Sequence, residues 1–113
     1  MLKALEIGFK NKKLKKLCLT SKEADKTLGF SCARKLRTRL AEIDAAQNVE
    51  ELIAGRPHPL IGDRLGEFSL DLAGGYRLVF RPERQPPPIK EDGGIDWSNV
   101  ENVIVVFIGD YHE

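Results

Sequence analysis

The sequence predicts an α+β fold, with two or three N-terminal helices packed on one face of a small, largely antiparallel sheet. Three observations predict it. Apolar residues recur at helical spacing between Asn11 and Leu52. The period drops to two from Glu67 to Phe80, broken at Ala73-Gly74-Gly75, as in a hairpin. Near the end, Val103-Ile104-Val105-Val106-Phe107-Ile108 is a continuous apolar run rich in β-branched residues, which reads as a strand buried on both faces.

Each element has a local reason. Lys3-Ala4-Leu5-Glu6-Ile7 alternates enough for a short first strand. Asn11 can cap a helix with Leu14, Leu17 and Cys18 on one side and Lys12, Lys13, Lys15 and Lys16 on the other. Thr20 followed by Glu23 fits a capping box, and Gly29 fits a helix stop. Ser31 can cap the next helix, whose Ala33, Leu36, Leu40 and Ile43 face the core, while Arg34, Lys35, Arg37 and Arg39 lie mostly elsewhere. Asn48 suits a further turn through Leu52. Gly55-Arg56-Pro57-His58-Pro59 ends helical structure, because proline lacks the backbone donor and restricts the residue before it. In the second hairpin strand, Tyr76–Phe80, alternation places Arg77 opposite Tyr76, Leu78 and Phe80. Residues 82–100, with Pro86-Pro87-Pro88 and Gly93-Gly94, have no period and read as a long acidic loop that Trp97 can anchor.

A chain of 113 residues suits one domain, 1–113, with a modest core. No apolar stretch reaches membrane-spanning length, and the first residues read as folded sequence rather than a signal peptide. Cys18 and Cys32 lie on apolar helix faces without metal-ligand spacing, so reduced core thiols and a cytoplasmic location are expected. There are no repeats, no glycine-rich phosphate loop and no zinc motif. Charge is divided along the chain. Residues 1–58 hold 13 Lys/Arg against 7 Asp/Glu, a net of +6, and residues 59–113 hold 5 against 10, a net of −5. That division suits an anionic partner for the first half, and equally two solvated helix faces.

Three stretches are similar to a known family. His58-Pro59-Leu60-x-Gly62-Asp63-Arg64-x-Gly66, then Tyr76-Arg77-Leu78-Val79-Phe80, then Asp110-Tyr111-His112, resemble the HigB branch of the RelE/ParE toxin superfamily. The preceding Arg39-Leu40-x-x-Ile43-x-x-Ala46 and Leu52 are similar too. The resemblance covers most of the chain in order, without the 82–100 loop. It implies a RelE-like fold and a toxin of a type II toxin–antitoxin system. Such toxins cut messenger RNA in the ribosomal decoding site, without metal or cofactor: the 2′-hydroxyl attacks its own 3′-phosphate, leaving a cyclic phosphate and a free 5′-hydroxyl. Implied partners are the ribosome with its message and a cognate helix-turn-helix antitoxin of HigA type, with operator DNA met only through the antitoxin complex and no membrane.

That reaction needs a base, positive charge on the phosphate and an acid for the leaving oxygen. Among the residues the resemblance marks as catalytic, Arg77 can hold the phosphate with its planar fork of donors. His58 and His112 are the only histidines, with protonation poised near neutral pH. His112 or Asp110 is expected as base and His58 as proton donor, while Tyr111 can orient the substrate by stacking or by its hydroxyl. Arg64 can contact phosphate, or pair with Asp63 or Asp110 to brace its loop. Lys12, Lys13, Lys15, Lys16, Arg34, Lys35, Arg37 and Arg39 are expected to engage ribosomal RNA backbone non-specifically and in a salt-sensitive way. The sequence departs from the pattern at Ile61, where close relatives carry lysine, at Glu113, which follows the usual terminal histidine, and in the acidic loop. Two other readings stay open: a gyrase-poisoning toxin of the same fold, and a catalytically weak antitoxin-binding module.

Overall fold

The computed structural model describes residues 4–110; Tyr111, His112 and Glu113 lie outside the described residues. Strand β1 (Glu6–Phe9) leads into three helices, α1 (Lys12–Leu19), α2 (Ser21–Leu28) and α3 (Phe30–Ala45). A two-residue strand β2 (His58–Pro59) follows, then the hairpin β3 (Phe68–Asp71) and β4 (Tyr76–Pro82), and finally β5 (Asn102–Asp110). The sheet order is β1-β5-β4-β3-β2, antiparallel except for the β1–β5 pair. The expected α+β architecture is therefore present, with three helices and with β2 as an edge strand the sequence did not announce.

Local capping explains the helix starts, with two corrections. The Asn11 side chain accepts from the Leu14 N–H at 2.9 Å, and Asn48 caps the turn Val49–Glu51 in the same manner, as expected. Thr20 makes no side-chain cap bond, and Glu23 instead accepts from the Thr27 hydroxyl. Ser31 lies inside α3, because Gly29 both closes α2 and begins α3. The Gly29 N–H donates to the Asp25 carbonyl, and the Gly29 carbonyl accepts from the Ala33 N–H.

The helices cover one face of the sheet. Leu36, Ile43, Leu78, Phe80, Val103 and Val105 meet there and are fully buried. The other side chains of the Val103–Ile108 run are only half-buried, so it is not sandwiched as expected. The reason is that no helix packs on its second face. Within β5, Phe80 pairs with Val105 and Val79 with Phe107, leaving Val106 unpaired in a bulge. An extra residue reverses the alternation beyond it. Val103 and Val105 face the helices before the bulge, and Ile108 and Asp110 do so after it, in register with Leu78 and Tyr76.

The 82–100 segment is more ordered than its composition suggests. Ile89 and Ile95 form a β-bridge, and Lys90 and Gly94 close a small turn by backbone hydrogen bonds. Trp97 is buried, with its ring 4.9 Å from Phe68 and 6.5 Å from Phe80, so it anchors the segment as expected. Asp96 accepts from the Ser98 hydroxyl and the Asn99 amide, which hold its carboxyl below the usual range. Burial pushes the Cys18 thiol up to about 12 and raises Cys32 as well, keeping both protonated near neutral pH. No helix among the described residues is long and apolar enough to cross a membrane.

Arg39 is the clearest correction to the expected basic face. It is 7% exposed, with Nε donating to the Asp71 carbonyl at 3.0 Å and a terminal nitrogen to Glu42 at 2.9 Å. A Cβ at Gly55 would collide with this guanidinium. A buried arginine left without partners is costly, so Arg39 depends on the Asp71 carbonyl and the Glu42 carboxylate that satisfy it. Arg39→Ala is expected to lower stability by about 2–3 kcal/mol in urea unfolding, whereas Lys13→Ala on the exposed helix face changes it by less than about 0.5 kcal/mol.

Candidate functional site

The register of the sheet defines a row of side chains on the helix-free face. His58 pairs with Ser69, Ser69 with Val79, and Val79 with Phe107. The adjacent row on the same face holds Asp71, Arg77 and Gly109. Arg77 thus lies opposite Tyr76, Leu78 and Phe80, as its alternation predicts. His58 and Arg77 stand two strand spacings apart, roughly 10 Å between strand axes. Long side chains from both can converge on a group lying between them.

The segment after β2 folds across this face. Leu60 donates its N–H to the Glu67 carbonyl, closing the loop, and the Arg64 guanidinium lies 4.4 Å from the Phe107 ring centroid. Arg64 also donates to Glu67 at 2.7 Å. This pair braces the loop, one of the two roles foreseen for Arg64, through Glu67, a partner the sequence reading did not name. Ser69 and Val79 are fully buried beneath this region, although no helix covers them. Gly109 lets the Phe107 ring lie flat along β5, since a Cβ there would stand 2.9 and 3.3 Å from ring atoms. Backbone, aromatic ring and guanidinium are therefore stacked, with Arg77 in register beside the glycine. The planar cation over a ring face is a favourable arrangement.

His58 is oriented by backbone. Its Nδ1 is 2.7 Å from the Arg56 carbonyl, and because a carbonyl only accepts, Nδ1 carries the hydrogen. Nε2 is then the ring nitrogen available for proton transfer. The carbonyl is aimed by an unusual turn, with Gly55 at φ +81° and Arg56 at φ +49°. The left-handed region is costly for a residue with a side chain, and more so before proline.

Arg77 is held from two sides, by a hydrogen bond to the Gly75 carbonyl at 3.0 Å and by Asp71, whose Oδ1 is 3.2 Å from Arg77 Nε. The other Asp71 oxygen is 3.2 Å from Arg56 Nε. Asp71 Oδ1 is buried at ion-pair distance without an aligned hydrogen bond.

The structure brings together three of the foreseen site residues, His58, Arg64 and Arg77. Asp110 is exposed and falls in register with Tyr76, on the helix side, because of the bulge at Val106. Tyr111 and His112 lie outside the described residues. Lys12, Lys13, Lys15, Lys16, Arg34 and Lys35 are exposed on the helical layer, Arg37 pairs with Asp25 at 3.4 Å, and Arg39 is buried. These cations are therefore not gathered on the face that holds His58 and Arg77. Sequence reasoning missed Arg56, Glu67, Asp71, Phe107 and Gly109. Only Asp71 carried a signal, standing on the polar face of β3 in simple hairpin register with Arg77.

No protein-family model matches the sequence, and no curated protein does. Among solved structures, the fold is that of bacterial toxins of the YoeB/ParE type. The YoeB/ParE toxin from Agrobacterium tumefaciens superposes with a TM-score of 0.60 at 13% identity, covering 96% of this chain and 100% of that one. The YoeB-YefM complex from Staphylococcus aureus gives 0.56 at 16% identity, covering 96% and 98%.

Gly109→Ala is expected to displace the Phe107 ring and to lower stability by about 1–3 kcal/mol through overpacking. In a double-mutant cycle, Phe107→Ala costs less in the Gly109→Ala background than in the parent. Additive costs in urea unfolding would show that ring and glycine are independent.

Proposed function

We propose that this chain is the toxin of a type II toxin–antitoxin system, of the HigB branch of the RelE/ParE superfamily, and that it cuts messenger RNA on the ribosome. The observation that carries this reading is the placement of His58, Arg64 and Arg77 on one helix-free face of a toxin-type sheet. In this reading Arg77 holds the scissile phosphate and offsets the charge that grows as the 2′-oxygen attacks. His58, fixed at Nδ1, delivers a proton from Nε2 to the leaving 5′-oxygen. His112 takes the proton from the 2′-hydroxyl, Asp110 being turned to the helix side, and Tyr111 orients the substrate. The 2′-hydroxyl is the internal nucleophile, so the products are a cyclic phosphate and a 5′-hydroxyl end. The exposed lysines of α1 and the basic residues of α3, Arg39 excepted, contact ribosomal RNA backbone. A cognate antitoxin of HigA type neutralises the toxin in the cytoplasm, and operator DNA is met only through that complex.

Induced expression is expected to arrest growth within a generation. Arg77→Ala and His58→Ala relieve the arrest, since losing one charge-stabilising or proton-transfer group costs on the order of 10²–10³ in rate. Both variants remaining as toxic as the parent at equal expression would defeat the cleavage reading. Arrest with intact messages and inhibited supercoiling would point to gyrase instead.

A further inference from the structure

We infer that Asp71 is a positioning residue that ties the phosphate-holding arginine to the histidine through one carboxylate. The inference rests on the function proposed above and names a residue that reading does not use. The two oxygens of Asp71 stand 3.2 Å from Arg77 Nε and 3.2 Å from Arg56 Nε. Its main chain is fixed as well, with the N–H donating to the Gly55 carbonyl at 2.7 Å and the carbonyl accepting from buried Arg39 at 3.0 Å. Asp71 therefore holds three parts of the strained Gly55-Arg56 turn and its surroundings. That turn aims the Arg56 carbonyl at His58 Nδ1. Arg56 keeps its left-handed φ at a conformational cost, and the ion pair to Asp71 fixes where its side chain lies.

The carboxylate also acts on charge. Asp71 and Glu67 each engage an arginine of the open face, Arg77 and Arg64 respectively. An anion beside Arg77 fixes the guanidinium plane, yet it repels an incoming phosphate. Removing the charge therefore loosens orientation without weakening ground-state attraction. A residue that positions a catalytic group affects the transition state more than substrate binding.

The test is single-turnover cleavage of a message on programmed ribosomes, with rate measured against ribosome-complex concentration. Parent, Arg77→Ala, Asp71→Asn and Asp71→Glu are compared after thermal melting has established that each is folded. Asp71→Asn is expected to lower the limiting rate at least tenfold while the half-saturating concentration stays level or falls. Asp71→Glu, which keeps the charge, recovers most of that rate. An unchanged rate in Asp71→Asn, or a raised half-saturating concentration at unchanged rate, would overturn the inference while an inactive Arg77→Ala leaves the nuclease reading intact. Equal loss in both Asp71 variants, or failure of Asp71→Asn to fold, would assign the carboxylate to stability alone and overturn it too. No cleavage by the parent removes the nuclease reading and this inference with it.

Discussion

A single unpaired residue, Val106, decides which side chains of β5 face the helices and which face away. Before it, Val103 and Val105 supply the core; beyond it, Ile108 continues the core face while Phe107 and Gly109 turn to the open one. Bulges re-aim side chains in this way because two residues oppose one on the partner strand. Without the extra residue, Gly109 would meet the helices and Phe107 could not lie over it on the open side. The stack of Gly109, Phe107 and Arg64, and the seat of Arg77 beside it, depend on that one-residue shift.

The arginines around the site are each matched by a carboxylate. Arg64 is matched by Glu67, and Arg77 and Arg56 share Asp71. Partly buried pairs of this kind hold side chains in place more than they add stability. A nucleic-acid phosphate reaching Arg77 has to compete with an internal carboxylate. This differs from a bare basic patch, in which affinity comes from counterion release alone. In the proposed function, the exposed cations of the helical layer would supply that general attraction on a separate surface, dividing capture from chemistry between the two layers of the fold.

Much of the architecture was legible because it follows from short-range rules. The Asn11 cap, the Gly29 break, the turn at Ala73-Gly74-Gly75 and the orientation of Arg77 depend on neighbours in sequence, and each holds in the structure. The Thr20 and Ser31 caps failed locally, since Thr20 makes no side-chain cap bond and Gly29 begins α3, and the other readings that failed depend on tertiary partners. Arg39 has the spacing of an exposed helix cation, yet the Asp71 carbonyl and Gly55 draw it inward. The apolar terminal run looks two-sided in sequence, yet only one face receives helices. The bulge at Val106 leaves no trace in a run of β-branched residues, so neither the stacking of Phe107 nor the separation of Asp110 from Arg77 could be read in advance. Within the site, His58, Arg64 and Arg77 were visible through motif resemblance. The turn that aims His58 was visible only as a proline-bounded break.

The central claim is that the helix-free face cleaves RNA through an internal 2′-hydroxyl. The direct measurement is the chemistry of the new ends produced on programmed ribosomes by purified toxin. The account predicts a 2′,3′-cyclic phosphate upstream and a 5′-hydroxyl downstream, with neither formed when the nucleotide at the cleavage site is 2′-deoxy. A 5′-phosphate end, or equal cutting of the 2′-deoxy substrate, would contradict it.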